Sequence, residues 1–210
     1  TEPDRLQRVG PIVGARAVVG PDPHARRRGM GLPRGPSRAE DGRPWHPERV
    51  LSRRTLDIWT SFARWPGGRW AFSRLLCLKA PYFGSICPRF EELRPGMCRV
   101  SIRRRRAVQN HIGSVHAIAM CNMAELAGGT MTEVTVPATH RWIPKGMTVE
   151  YRKLAKSDLV AVATPRAPLD VSAAGEFLVD VDVRDRDDET VFTALITMWV
   201  SPRRERSGAA

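Results

Sequence analysis

The sequence predicts an α+β domain, an antiparallel β-sheet wrapped around one long buried central helix, with short helices ahead of it. Three observations predict it. Residues 111–132, HIGSVHAIAMCNMAELAGGTMT, are apolar nearly all round, as in a helix buried by its surroundings rather than lying on a surface. Four strand-like runs follow, at about 145–153, 158–164, 176–184 and 190–200. Their links are of hairpin length, and parallel neighbours would need long crossovers.

Order is expected from about Ser52. Leu56, Trp59, Phe62 and Ala63 recur at helical spacing until Pro66-Gly67-Gly68 ends the run. A second helix carries Trp70, Phe72, Leu75, Leu76 and Leu78 and stops at Pro81, and the tryptophans at 59, 65 and 70 are read as core or dimer packing. Strands are predicted over about 86–93 and 98–105, with Cys98, Val100 and Ile102 alternating against Arg99, Ser101 and Arg103, and Pro95-Gly96 turning between them. The arginines at 103–106 read as a solvated strand end. After the long helix the cleanest strand sets Phe177, Val179, Val181 and Val183 on one side and Asp180 and Asp182 on the other. The acidic stretch 185–189 makes the next hairpin, and the last run is apolar on both faces, as in a central strand or one at a dimer contact.

The ends differ in composition. Residues 1–51 are rich in Arg, Pro and Gly and hold no lasting period, so they are expected to be a disordered extension, or the product of a start codon placed too far upstream. They lack the apolar run of a secretory signal. The domain is expected over 52–201, and 202–210 as a disordered basic tail. Of the net charge of +12, residues 1–54 carry +6 (twelve Lys and Arg against six acids) and residues 201–210 carry +2. Basic ends attract RNA, anionic lipid or acidic partners without a specific site, and no nucleic-acid module accompanies them, so no specific nucleic-acid partner is expected. No apolar stretch is long enough to span a bilayer. Cys77, Cys87, Cys98 and Cys121 have no CxxC or zinc spacing, and free thiols point to a reducing cytoplasm.

The long helix holds one carboxylate before its last residues, Glu125. An acid in an apolar helix is either satisfied by a structural partner or kept for chemistry. Asn110, Gly113, Ser114 and His116 stand at the start. Ser114 can cap the helix and Asn110 can close the preceding turn, or the free N–H groups of the first turn can serve as an oxyanion site. Were the helix already running at His116, Glu125 would lie on the opposite face and roughly 13 Å along the axis. One carbonyl could then be served only by the helix start of one chain and Glu125 of another, which makes a dimer part of any catalytic reading. The histidines at 111, 116 and 140 lack metal-ligand spacing, and no metal is expected. Lys145, Arg152 and Lys153 read as solvated strand residues before CoA-phosphate contacts.

The stretch Asn110-His-Ile-Gly113-Ser-Val-His116 through Glu125 resembles the signature of PaaI-type hotdog thioesterases, and more closely that of the DUF4442 proteins, which also share a stretch like Arg141-Trp-Ile-Pro-Lys-Gly-Met-Thr-Val-Glu-Tyr151. The resemblance spans roughly residues 55–200. It implies the hotdog fold and an acyl-CoA thioesterase activity. By position it implies Glu125 as general base or nucleophile, Asn110 orienting water or thioester, and backbone N–H groups near Ala117 and Ile118 holding the carbonyl oxygen, with Gly113, Ser114 and His116 shaping the site. No cofactor is implied beyond the CoA moiety of the substrate. The thioesterases carry two glycines where this chain has Ala117 and Ile118, and a β-branched side chain there narrows the approach to the backbone. The expectation is therefore a homodimer or dimer of dimers that hydrolyses acyl-CoA. The alternative is a non-catalytic hotdog module that binds acyl chains or CoA esters.

Overall fold

A computed structural model of the protein describes residues 52–203. The expected disorder of residues 1–51 and most of the basic tail lie outside the described residues. Helices α1 (Ser52–Ala63) and α2 (Gly68–Lys79) are followed by a 3-10 segment, Pro81–Ile86. Strands β1 (Arg89–Arg94) and β2 (Met97–Ile102) lead to the long helix α3 (Ala117–Thr135). Then come β3 (His140–Tyr151), β4 (Leu159–Pro165), β5 (Gly175–Arg184) and β6 (Thr190–Pro202). All strand pairs are antiparallel, in the spatial order β1-β2-β4-β5-β6-β3.

This is the hotdog arrangement, a six-stranded antiparallel sheet curled around α3. Twelve of the nineteen residues of α3 are buried, among them Met123, Leu126, Ala127 and Met131. They meet the inner side of the sheet, where Phe177, Val179, Val181 and Val183 of β5 and Phe192, Ala194, Ile196 and Met198 of β6 are buried. At Gly128 the helix comes so close that an added Cβ would stand 2.6 Å from Ile196 Cδ1. The predicted turns are where expected: Gly96 adopts φ +77° between β1 and β2, and Asp185 N–H donates to the Glu189 carbonyl at 3.0 Å between β5 and β6.

Two expectations need correction. The strands after α3 are not a run of neighbouring hairpins. The link from β3 to β4 crosses the sheet, so β3 lies at one edge, bonded only to β6, while β4 lies between β2 and β5. The long helix starts at Ala117 rather than near 111, because residues 109–116 form a closed turn instead. On α2, only Phe72 and Cys77 of the apolar residues are buried. Trp70, Leu75 and Leu78 face outward, as does Trp65 before the helix. Trp59 does join the core, edge-to-face on Phe72 at 5.1 Å, with Phe72 in turn 5.2 Å from Phe90.

Candidate active site

The turn ahead of α3 is closed by one side chain. Asn110 Oδ1 accepts the N–H groups of Ile112 (3.2 Å) and Ser114 (3.1 Å), and its Nδ2 donates to Ser114 Oγ at 2.8 Å. Gly113 adopts φ +76°, a left-handed conformation that favours glycine, and its carbonyl accepts from Arg104 Nε and Nη2. Two arginines of the basic run therefore brace loops rather than wait for a ligand: Arg104 here, and Arg105, which donates to the Ser85 carbonyl. Ser114 is buried within this turn and does not cap the helix.

The cap is His116. It stays extended (φ −64°, ψ 139°) and its Nδ1 accepts the Ile118 N–H at 3.1 Å. One of the two N–H groups that the family resemblance assigns to an oxyanion is thus occupied by the protein's own side chain. For the Ala117 N–H no partner is found among the described residues. The Ile118 side chain is 55% exposed, so it projects across the outside of the helix start.

Glu125 is not buried. It lies solvent-exposed on the one stripe of α3 that neither the sheet nor α1 covers, in line with Ile118, Cys121 and Gly129 at helical spacing. Because α3 begins after His116, the opposite-face argument for a second chain fails: Ile118 and Glu125 share a face, seven residues apart. The distance argument stands. Eight residues from Ala117 to Glu125 span about 12 Å of helix axis, too far for both to touch one carbonyl group.

Alongside this stripe runs β3, whose inner face is fixed by its register with β6: Tyr151 opposite Phe192, Val149 opposite Ala194, Met147 opposite Ile196 and Trp142 opposite Val200. Two contacts tie helix to strand at either end. Tyr151 Oη lies 3.3 Å from Cys121 Sγ, and Trp142 Nε1 donates to Glu133 Oε2 at 2.7 Å. The contact with Cys121, then burial, pushes the Tyr151 phenol up to about 12. Burial also raises the Glu133 carboxyl, against the Trp142 hydrogen bond and the charges of Arg203 and Lys79. Glu125 thus stands on an open trough framed by Cys121–Tyr151 at one end and Trp142–Glu133 at the other. Sequence reasoning gave none of these four a role in the site: Cys121 was read only as a free thiol, Trp142 and Tyr151 only as part of the shared stretch 141–151, and Glu133 was passed over.

Asn110, Gly113 and Ser114 are brought together in the turn, with His116, Ala117 and Ile118 at the helix start next to it; Glu125 is set apart from both groups. Lys145 lies over the Trp199 ring and 3.3 Å from Glu176, Arg152 pairs with Glu150, and Lys153 with Glu189, so these three cations have partners within the chain. Among the described residues no group of three His, Cys, Asp or Glu is placed to hold a metal ion.

Residues 68–200 match the family model described as a domain of unknown function, DUF4442. The chain belongs to the DUF4442 family. A structural-genomics protein, APC5556, is 48% identical to this DUF4442 chain, with 71% of this chain and 99% of that one covered and a TM-score of 0.64. A Pseudomonas aeruginosa protein of unknown function, described as a probable thioesterase, is 25% identical over 62% of this chain and 93% of its own, with a TM-score of 0.56. A thioesterase family protein from Silicibacter pomeroyi shares the fold at 16% identity, covering 64% and 99% of the two chains with a TM-score of 0.54. No curated protein matches the sequence significantly. The match begins at α2, so it takes in the turn, α3, the trough and the whole sheet of the DUF4442 domain, and leaves out α1.

Proposed function

We infer that this DUF4442 protein is a thioesterase acting on acyl thioesters of the acyl-CoA class, and that it works as a homodimer or a dimer of dimers. The observation that carries this reading is Glu125 itself, an exposed carboxylate on a stripe of the central helix that the other described residues leave uncovered. The solved structures that the chain resembles include thioesterases, which supports the same reading.

In the proposed reaction Glu125 takes a proton from water, and the hydroxide attacks the thioester carbonyl carbon. The oxyanion is held by the Ala117 N–H of the other protomer. The carbon–sulfur bond then breaks and the CoA thiolate leaves, to be protonated. General-base catalysis of this kind contributes about 10²- to 10⁴-fold. No cofactor takes part, since CoA belongs to the substrate. A second chain is required because about 12 Å separates the helix start from Glu125 within one chain. The edge strand β3 is the natural place for it, with Met147 and Tyr151 exposed on the face of β3 turned to α3 and Ile118 exposed on α3. These apolar side chains would be covered in a dimer.

The test is thiol release from a panel of acyl-CoA esters. Glu125→Gln should abolish turnover without changing the melting profile; unchanged turnover rejects the assignment. Mixing Glu125→Gln with a variant impaired at the helix start should restore part of the activity if sites are shared between chains. A second reading, a non-catalytic module that binds acyl-CoA, is favoured by the Ile118 side chain across the helix start and by its occupied N–H. Binding of acyl-CoA without hydrolysis decides for it.

A further inference from the structure

The face of α2 turned away from the core is the most unusual surface of the domain. Trp70, Leu75 and Leu78 project from it within about 140° of the helix circumference. They are 63%, 46% and 81% exposed, respectively. Trp65 just before α2 and Tyr82 just after it are exposed as well, at 74% and 67%. A soluble surface scatters such side chains singly, whereas here five large ones are gathered on a single helix and its flanks.

Charge is segregated along the same stretch. Between Asp57 and Glu91 the sequence has no acidic residue and carries Arg64, Arg69, Arg74, Lys79 and Arg89. Glu91 is the acid shared by Arg69 and Arg89, at 3.7 and 3.4 Å. Arg74 turns inward to Cys87 Sγ and the Pro88 carbonyl; among the described residues Arg64 has no ion pair, and Lys79 has none although its charge reaches the Glu133 carboxyl. The helix is firmly held from below. Ser73 Oγ accepts the Phe90 N–H at 3.0 Å, and Phe72 lies between Trp59 and Phe90 in the core. Its outward face is therefore a rigid platform.

Helix α2 packs on β1, at the other end of the strand order from β3. No helix among the described residues is long and apolar enough to cross a membrane. Tryptophan and tyrosine at the headgroup level, leucine below them and cations without intervening acids are the chemistry of an interfacial helix on anionic lipid. We propose that α2 and its flanks dock the domain on anionic lipid surfaces, with Trp65, Trp70, Leu75, Leu78 and Tyr82 entering the interface and Arg64 and Lys79 meeting the headgroups.

The full chain is sedimented with vesicles of phosphatidylcholine containing phosphatidylglycerol, and with vesicles of phosphatidylcholine alone. Retention is expected on the anionic vesicles only, weakening as salt rises, with a blue shift of tryptophan fluorescence. Leu78→Glu and Trp70→Ser change exposed side chains and should leave circular dichroism unchanged. Each should lower the partition coefficient by about tenfold or more, the loss expected when one large apolar side chain no longer leaves water. The proposal is overturned by any of four results. These are no retention, equal retention on neutral vesicles, full retention of Leu78→Glu (the basic chain ends then carrying the binding), or a Leu78→Glu that changes only the oligomeric state, which would make the face a contact between copies.

Discussion

His116 Nδ1 accepts the backbone N–H of Ile118 at 3.1 Å, so the histidine of the sequence signature is the N-cap of the central helix. A cap of this kind satisfies one of the four N–H groups that a helix start leaves unpaired. His116→Ala should lower stability by about 1 kcal/mol, and His116→Asn should recover most of it, because asparagine caps equally well. Urea midpoints of the three proteins check this. Equal midpoints for His116 and Ala would show that the ring adds nothing to the helix start.

The joint between α1 and α2 depends on one hydrogen atom. A Cβ on Gly68 would stand 1.7 Å from the Phe62 carbonyl oxygen, a backbone atom that cannot swing aside. Gly68→Ala must pry the two helices apart and should cost more than about 2 kcal/mol. Gly84→Ala is the control: its Cβ would meet only Cys77 Cβ at 3.8 Å, ordinary contact, and should change stability by no more than about 0.5 kcal/mol. Thermal melts of both variants compare the two sites directly.

Glu133 ties helix to strand through Trp142, and burial raises its carboxyl above the usual range. The folded chain therefore holds this proton more tightly than the unfolded chain does. The stabilisation that follows is fully present below the unfolded value and is lost as pH rises through the raised folded one. Glu133→Gln keeps an acceptor for the indole N–H and removes the titration. The variant should match the native chain near pH 3 and be the more stable of the two near pH 7, both pH values being approximate brackets of the carboxylate range. Denaturant midpoints across that interval test the sign, and a less stable glutamine variant at neutral pH would contradict it.

Much of the architecture can be read locally. The alternation of Phe177, Val179, Val181 and Val183 with Asp180 and Asp182 determines which face of β5 is buried. Pro95-Gly96 and the acidic run at 185–189 place two reversals, because a turn is selected by a few neighbouring residues. The motif from Asn110 to Glu125 was likewise legible as a unit, since its Asn, Gly and His serve a turn and a cap closed over a few residues.

What only the tertiary structure decided is relational. Which strand β3 joins depends on a crossing link and a partner some fifty residues away, and no local pattern encodes that. The exposure of Glu125 was misjudged for the same reason. Apolar spacing says that an element has a face, but what packs against that face is set by distant segments. The sequence by itself determined most of the elements, two of their turns and the one carboxylate, Glu125, that precedes the last turn of the central helix. The distance from the helix start to Glu125 followed from residue spacing alone, whereas only the fold decided that this carboxylate is exposed beside β3 and on the same face as Ile118, because sheet order and the true start of the helix are set by distant segments.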